Sequence, residues 1–179
     1  MNLFEIIYLT APAWVSNTIV GLINPAGKPL PISLPLDFRL QLRGKRLFGN
    51  HRTIIGSILI IIVATVIGQL QNNLHLGISM GIFTLFGTLI SSFIKRQIGI
   101  PEGKNLLIVD QIDYAVSNII GLSFINYIDL NIKSVLIFTA FIFFYQFIGT
   151  YISFILGIKN HSPIPSFSIK KNFSSSAKP

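Results

Sequence analysis

Of the 179 residues 51% are apolar and only 11% are charged, with a mean hydropathy of +0.67, a balance that cannot coat a soluble domain and predicts an integral membrane protein. A net charge of +8 would suggest nucleic acid in a soluble chain, but in a membrane chain it follows from topology and from the anions its cytoplasmic loops meet, so no nucleic-acid partner is expected. The absence of Cys excludes a disulfide framework, thiol catalysis and cysteine-bound zinc.

A spanning helix needs roughly 20 mostly apolar residues. Five such segments can be drawn, at about 3–23, 53–70, 77–94, 112–130 and 134–156. Between them the positive charge is sorted: 13 of the 14 Lys and Arg lie in 24–52, 95–110 and 157–179, whereas 71–76 carries no charge and 131–133 carries only Lys133. The positive-inside rule therefore places the two long loops and the tail in the cytoplasm. The expected fold is all-α, a polytopic membrane bundle of five transmembrane helices in the cell (cytoplasmic) membrane, with the N-terminus out and the C-terminus in. The first span lacks a basic leader and a small-residue cleavage signal and contains Glu5, Ser16, Asn17 and Thr18, so it is expected to be retained. No internal repeat is visible, which favours one membrane-embedded unit over 1–157 carrying cytoplasmic loops 24–52 and 95–110. Residues 158–179, rich in Ser, Lys and Pro, read as a flexible basic tail attracted to membrane lipids. Gly56, Gly68, Gly81 and Gly87 allow close helix packing, within one chain or in a homodimer.

The first basic loop opens with Pro25, Pro29, Pro31 and Pro35, which forbid a continuous helix and predict irregular structure. Its second half gathers Arg39, Arg43, Lys45, Arg46 and Arg52 around one acid, Asp37. Such a surface is either a topological anchor or a polyphosphate funnel, since guanidinium forks grip phosphate oxygens in pairs.

At the second basic loop, Ser91 and Lys95 stand one helical turn apart and face the same way. Lys95 and Arg96 either snorkel to the headgroups or supply fixed cations to a site. Asp110 and Asp113 lie three apart at the start of the fourth span and share a helical face. Asp110 suits a helix N-cap or a metal ligand, whereas Asp113, about a turn further in, is expensive as an ion unless paired or liganded. Hard cations such as Mg²⁺ take carboxylate oxygens together with substrate phosphates. The inventory has only three His (His51, His75, His161) and no GxxxxGK[ST] loop. It fits phosphoryl or nucleotidyl transfer and not acyl transfer.

The stretch PLDFRLQLRGKRLFGNHRTIIG resembles a family pattern of Pro-[Ile/Leu]-Asp followed by Gly-x-Arg-Leu-Phe-Gly and a basic residue plus Thr. It matches at Asp37, Gly44, Arg46, Leu47, Phe48, Gly49, Arg52, Thr53 and Gly56. SSFIKRQIGI and DQID supply a Ser-x-x-x-Lys-Arg and an Asp-Gln-x-Asp element, at Ser91, Lys95, Arg96, Asp110, Gln111 and Asp113. Together these resemble the CDP-archaeol synthase family, integral-membrane relatives of the bacterial phosphatidate cytidylyltransferases. The resemblance implies a five-span bundle with Mg²⁺ as cofactor, in which the phosphate of an anionic lipid attacks the α-phosphorus of CTP, giving a CDP-activated lipid and pyrophosphate. It further implies that Asp110 and Asp113 hold the metal, Lys95 and Arg96 neutralise developing charge, and Ser91 donates to a phosphate oxygen. Arg46 and Arg52 would receive the nucleotide or the lipid head, with Asp37, Thr53, Thr88 and Gln111 completing the substrate site. Where the family has Gly-Asp ahead of that Ser, this chain has Gly87-Thr88, and Asn50 replaces a frequent Asp. A catalytically impaired homologue that binds nucleotide or lipid as a partner subunit is thus the alternative. The crowding of motifs on one side argues against a transporter or channel.

Overall fold

In the computed structural model the described residues are 3–23, 34–100, 109–124 and 132–155; the side chains of residues 3, 109–114, 134, 153 and 154 lie outside that description. They form helices α1 (Leu3–Ile23), α2 (Ile54–Leu70), α3 (Leu74–Gln97), α4 (Val109–Phe124) and α5 (Ile132–Ile155), with a small antiparallel pair, β1 (Gln41–Leu42) and β2 (Lys45–Arg46), between α1 and α2.

α1 carries Pro12 in its interior. Proline has no N–H to offer the carbonyl four residues back, which leaves the Tyr8 oxygen unserved by its own helix. The side-chain amide of Gln71, at the far end of α2, donates to that oxygen. α2 begins at Thr53, whose extended backbone and hydroxyl cap the helix by accepting from the Gly56 amide at 3.1 Å. Only Gln71, Asn72 and Asn73 separate α2 from α3, and Asn73 caps α3 by accepting from the Leu76 amide at 3.0 Å. The two helices are therefore antiparallel neighbours in close contact. A Cβ built on Gly68 would lie 2.4 Å from the Gly77 Cα, and one on Gly81 would lie 3.0 Å from the Ala64 Cβ. Small residues let these backbones touch where lipid gives no hydrophobic reason to associate.

α3 divides by face. Leu74, Ile78, Ile82, Phe86, Ile90 and Ile94 form an exposed apolar ridge at four-residue spacing, while Thr84, Thr88, Ser91, Ser92 and Lys95 are buried opposite. α4 packs antiparallel to α3: the Thr84 hydroxyl donates to the Asn118 side-chain oxygen at 3.2 Å, and a Cβ on Gly121 would collide with Phe83 and Met80. α5 joins α1 through rings, Trp14 standing edge-on to Tyr145 and Phe141, and through a 2.6 Å hydrogen bond between the hydroxyls of Thr18 and Tyr145. The buried apolar core is small, centred on Ile6, Ala13, Leu76, Met80, Ala115, Leu122, Phe138 and Ile142.

Among the described residues three helices are long and apolar enough to cross a membrane, over Phe4–Ile23, Leu74–Gln97 and Val135–Ile152; α2 and the Ala115–Phe124 part of α4 are apolar but shorter. Five helices stand where five segments are expected, with α3 extended to 74–97 because Asn73 caps it early and Gly99, at φ 83°, ends it late. α4 is described over Val109–Phe124, and residues 125–130 of the expected fourth span lie outside the described residues. The first loop departs from the expectation of irregular structure. Arg43 and Gly44 both have positive φ (52° and 74°), the geometry of a two-residue turn that matches strand twist, so 41–46 closes as a hairpin. Pro25, Pro29 and Pro31, and the tail 158–179, lie outside the described residues.

Candidate active site

The first loop is built around Asp37. Leu36 donates to the Arg52 carbonyl at 2.7 Å and Ile54 to that of Leu34 at 3.0 Å, so the loop's two ends are tied together at the mouth of α2. Inside it the Asp37 carboxylate, only 3% exposed, accepts from Arg46 through two nitrogens (2.6 and 3.2 Å) and from the amides of Arg39, Phe48 and Gly49. Burial by itself would raise the Asp37 pKa, but the Arg46 guanidinium and these three amides outweigh it and hold the carboxyl at about 2. Arg46 also donates to the Asn50 side-chain oxygen at 3.0 Å. Asp37 and Arg46 thus neutralise one another and shape the loop, and Thr53 caps α2.

The folded loop then docks on the end of α3. Arg52 Nε donates to Ser92 Oγ at 2.8 Å, and Ser92 in turn donates to the Thr88 carbonyl at 2.8 Å. Lys45 Nζ donates to the Gln97 carbonyl at 2.6 Å, and the Gln97 side chain returns a 3.4 Å hydrogen bond to the Arg46 carbonyl. Two motifs some forty residues apart in sequence meet here: Arg52 stands against the helical turn that carries Thr88, Ser91, Ser92 and Lys95. Thr88, Ser91 and Lys95 are buried together, as offsets of three and seven on a helix require. The Thr88 hydroxyl donates to the Leu85 carbonyl at 2.9 Å, so this position presents a neutral hydroxyl bonded within its own helix.

Asp110, Gln111 and Asp113 lie in the first turns of α4. The pairings of Asn118 with Thr84 and of Gly121 with Met80 and Phe83 run α4 antiparallel to α3, which brings the backbone of those turns level with the Thr88–Lys95 end. Their side chains lie outside the described residues. Among the described residues no three His, Cys, Asp or Glu side chains form a metal-binding group. Mg²⁺ is usually held by one or two carboxylates together with substrate phosphate oxygens, and Asp110 and Asp113 are the residues at this end of the bundle whose chemistry could hold it.

Arg52 also borders a cavity of about 110 Å³ between α1, α2 and α3, whose lining mixes polar side chains (Arg52, Thr53, Asn17) with apolar ones (Val20, Ile60, Leu85). A pocket of mixed lining suits an amphiphile. Ser92 and Gln97 are contributors that sequence reasoning missed, and Lys45, read there as one of the loop's cations, ties the loop to α3. Ser92 stands beside the motif Ser and four residues after Thr88, the spacing of a hydroxyl that can reach a carbonyl one turn back. No sequence signal marks Gln97 or the Lys45–Gln97 contact, because these contacts cross between loop and helix.

Comparison with known proteins bears on this constellation. A family model described as CarS-like CDP-archaeol synthase matches residues 1–162. Proteins named CDP-archaeol synthase from Saccharolobus islandicus (strain M.16.4 / Kamchatka #3) and Methanocaldococcus jannaschii are 28% and 27% identical, covering 87% and 88% of this chain and 92% and 96% of their own. One from Pyrobaculum arsenaticum is 30% identical over 64% of this chain and 71% of its own. A solved structure of an intramembrane enzyme for archaeal membrane lipids biosynthesis superposes with a TM-score of 0.64 at 22% identity, over 81% of this chain and 92% of that one. The family match together with the apolar helices makes the protein membrane-integral.

Proposed function

The chain belongs to the CDP-archaeol synthase family, an enzyme family, and from that premise we propose that it transfers the cytidylyl group of CTP to an anionic lipid phosphate of the archaetidic acid type, releasing pyrophosphate. The observation that carries this reading is the docking of the basic loop on α3 through Arg52 and Ser92, which joins the two recognised motifs at one helix end. Phosphate oxygen of the lipid displaces pyrophosphate from the α-phosphorus, so the task of the protein is to align two polyanions and offset their charge.

Each residue has a part in that task. Lys95 is only 8% exposed, and a cation in such a low-dielectric wall attracts phosphate far more strongly than it would in water. Arg96 follows it, and Ser91 donates to a phosphate oxygen. Arg52 lies between the α3 face and the cavity beside α1, placed to meet both substrates: the triphosphate on the Lys95 side, and the lipid phosphate in the cavity with the acyl or isoprenoid chain along Val20, Ile60 and Leu85. Asp37, Arg46, Thr53 and Gln111 shape and line the substrate site. Asp110 and Asp113 would hold Mg²⁺, which when bound supplies positive charge to the triphosphate. The active site faces the cytoplasm of a five-span bundle with the N-terminus out.

The test is Asp113→Asn, which keeps side-chain shape and removes charge. Mg²⁺-dependent CTP binding, followed by calorimetry on the folded variant, should fall at least tenfold; unchanged binding would remove Asp113 from the metal site. Thr88 favours a second reading, a homologue that binds CTP without turning it over, because a hydroxyl engaged with the Leu85 carbonyl stands where the family resemblance implies a carboxylate.

A further inference from the structure

The hairpin of the first loop has two chemically different faces. Cross-strand partners share a face, so Gln41 and Arg46 lie on one side, with Arg46 turned onto Asp37 and Asn50, and Leu42 with Lys45 on the other. Leu40 stands two residues before Leu42 along the same arm and joins its face. Leu40 is 60% exposed, Leu42 44% and the neighbouring Phe38 66%. Two arginines flank this apolar patch, Arg39 and Arg43, both exposed and both at bends with positive φ (64° and 52°). Asparagine or glycine would adopt such a backbone with less strain, so a guanidinium at the hairpin tip is retained against the local preference.

What covers the patch is indicated by its surroundings. Lys45 ties the hairpin to the Gln97 carbonyl, at the end of the exposed apolar ridge of α3, and Ile94 and Ile98 extend that ridge to the same level. Apolar side chains interleaved with cations, continuous with a lipid-facing helix surface, are the make-up of a segment lying at the boundary between headgroups and acyl chains.

We propose that the hairpin inserts Phe38, Leu40 and Leu42 into the leaflet of the membrane in which the bundle sits, with Arg39 and Arg43 on anionic headgroups, so that lipid anchors one face while the other holds Arg46. The proposal needs only a bundle in a bilayer and stands or falls separately from the reaction.

The chain has no Cys, so single cysteines can be spin-labelled without background removal. Leu40→Cys, Leu42→Cys and Gln41→Cys are labelled in the full chain and reconstituted in vesicles of phosphatidylcholine with phosphatidylglycerol. Power saturation should show labels at 40 and 42 relaxed preferentially by oxygen and the label at 41 by an aqueous nickel chelate. Adding Arg39→Gln and Arg43→Gln should shift the 40 label toward water, by about fivefold in membrane partition per cation removed, in anionic but not in neutral vesicles. Arg43→Asn, which relieves the turn, should produce the same kind of shift while stabilising the hairpin. Water-like relaxation at all three positions would overturn the proposal. So would a 40 label shielded from both reagents whose broadening vanishes on dilution with unlabelled chain, since that outcome assigns the face to a second copy.

Discussion

Arg52 and Asp37 carry similar weight in the sequence, each a charged residue in a basic loop, yet their surroundings divide them. Arg52 touches a hydroxyl on another helix and borders a cavity, whereas Asp37 is enclosed by five donors from its own loop. Its folded pKa of about 2 lies below the ordinary 3.8, so its contribution to loop stability is fully present above pH 4 and is lost as the pH falls toward 2. A depression of that size corresponds to about 2 kcal/mol. We expect the amides of Phe48 and Gly49 to lose hydrogen-exchange protection over that interval, and in Asp37→Asn to lack it at neutral pH while the Gly77 amide is unchanged. Protection that persists in Asp37→Asn would mean the loop is held by something else. Of the residues singled out from sequence, the joint burial of Thr88, Ser91 and Lys95 was legible because helical spacing fixes it. The enclosure of Asp37 by Phe48 and Gly49 was not, because it depends on a turn whose positive φ values at Arg39 and Arg43 no residue preference announces.

Among the elements, α2 and α3 form the rigid frame on which the loop docks. Their contact was readable as a set of small residues but not as an intrachain one, since Gly68 and Gly81 would serve a dimer equally well; the three-residue connection and the Gly68–Gly77 approach assign them to one chain. A methyl at Gly68 meets backbone within 2.4 Å, which the helices can relieve only by separating. Gly68→Ala should therefore destabilise the protein by about 1–3 kcal/mol in a detergent melt, whereas Gly149→Ala, with nothing within 4 Å of its new Cβ, should not lower the melting temperature. Equal behaviour of the two variants would contradict the packing. The spans themselves follow from hydropathy, but their ends do not: α3 begins and ends where Asn73 and Gly99 cap it, and those local hydrogen bonds leave no trace in apolar periodicity.

For the whole molecule, the division of 13 cations from one predicts the orientation of the bundle, and the folded loop, the end of α3 and the start of α4 gather at its basic end. An impermeant maleimide should label Asn72→Cys from outside intact cells and Arg43→Cys only after permeabilisation; the reverse pattern would invert the topology. The central claim is the reaction, and its most direct test is pyrophosphate release by the purified protein reconstituted with CTP, Mg²⁺ and an ether-linked lipid phosphate. Pyrophosphate and CDP-lipid should form in equal amounts, dependent on both substrates and abolished in Asp113→Asn. Tight CTP binding with no pyrophosphate released at any Mg²⁺ concentration would contradict that claim.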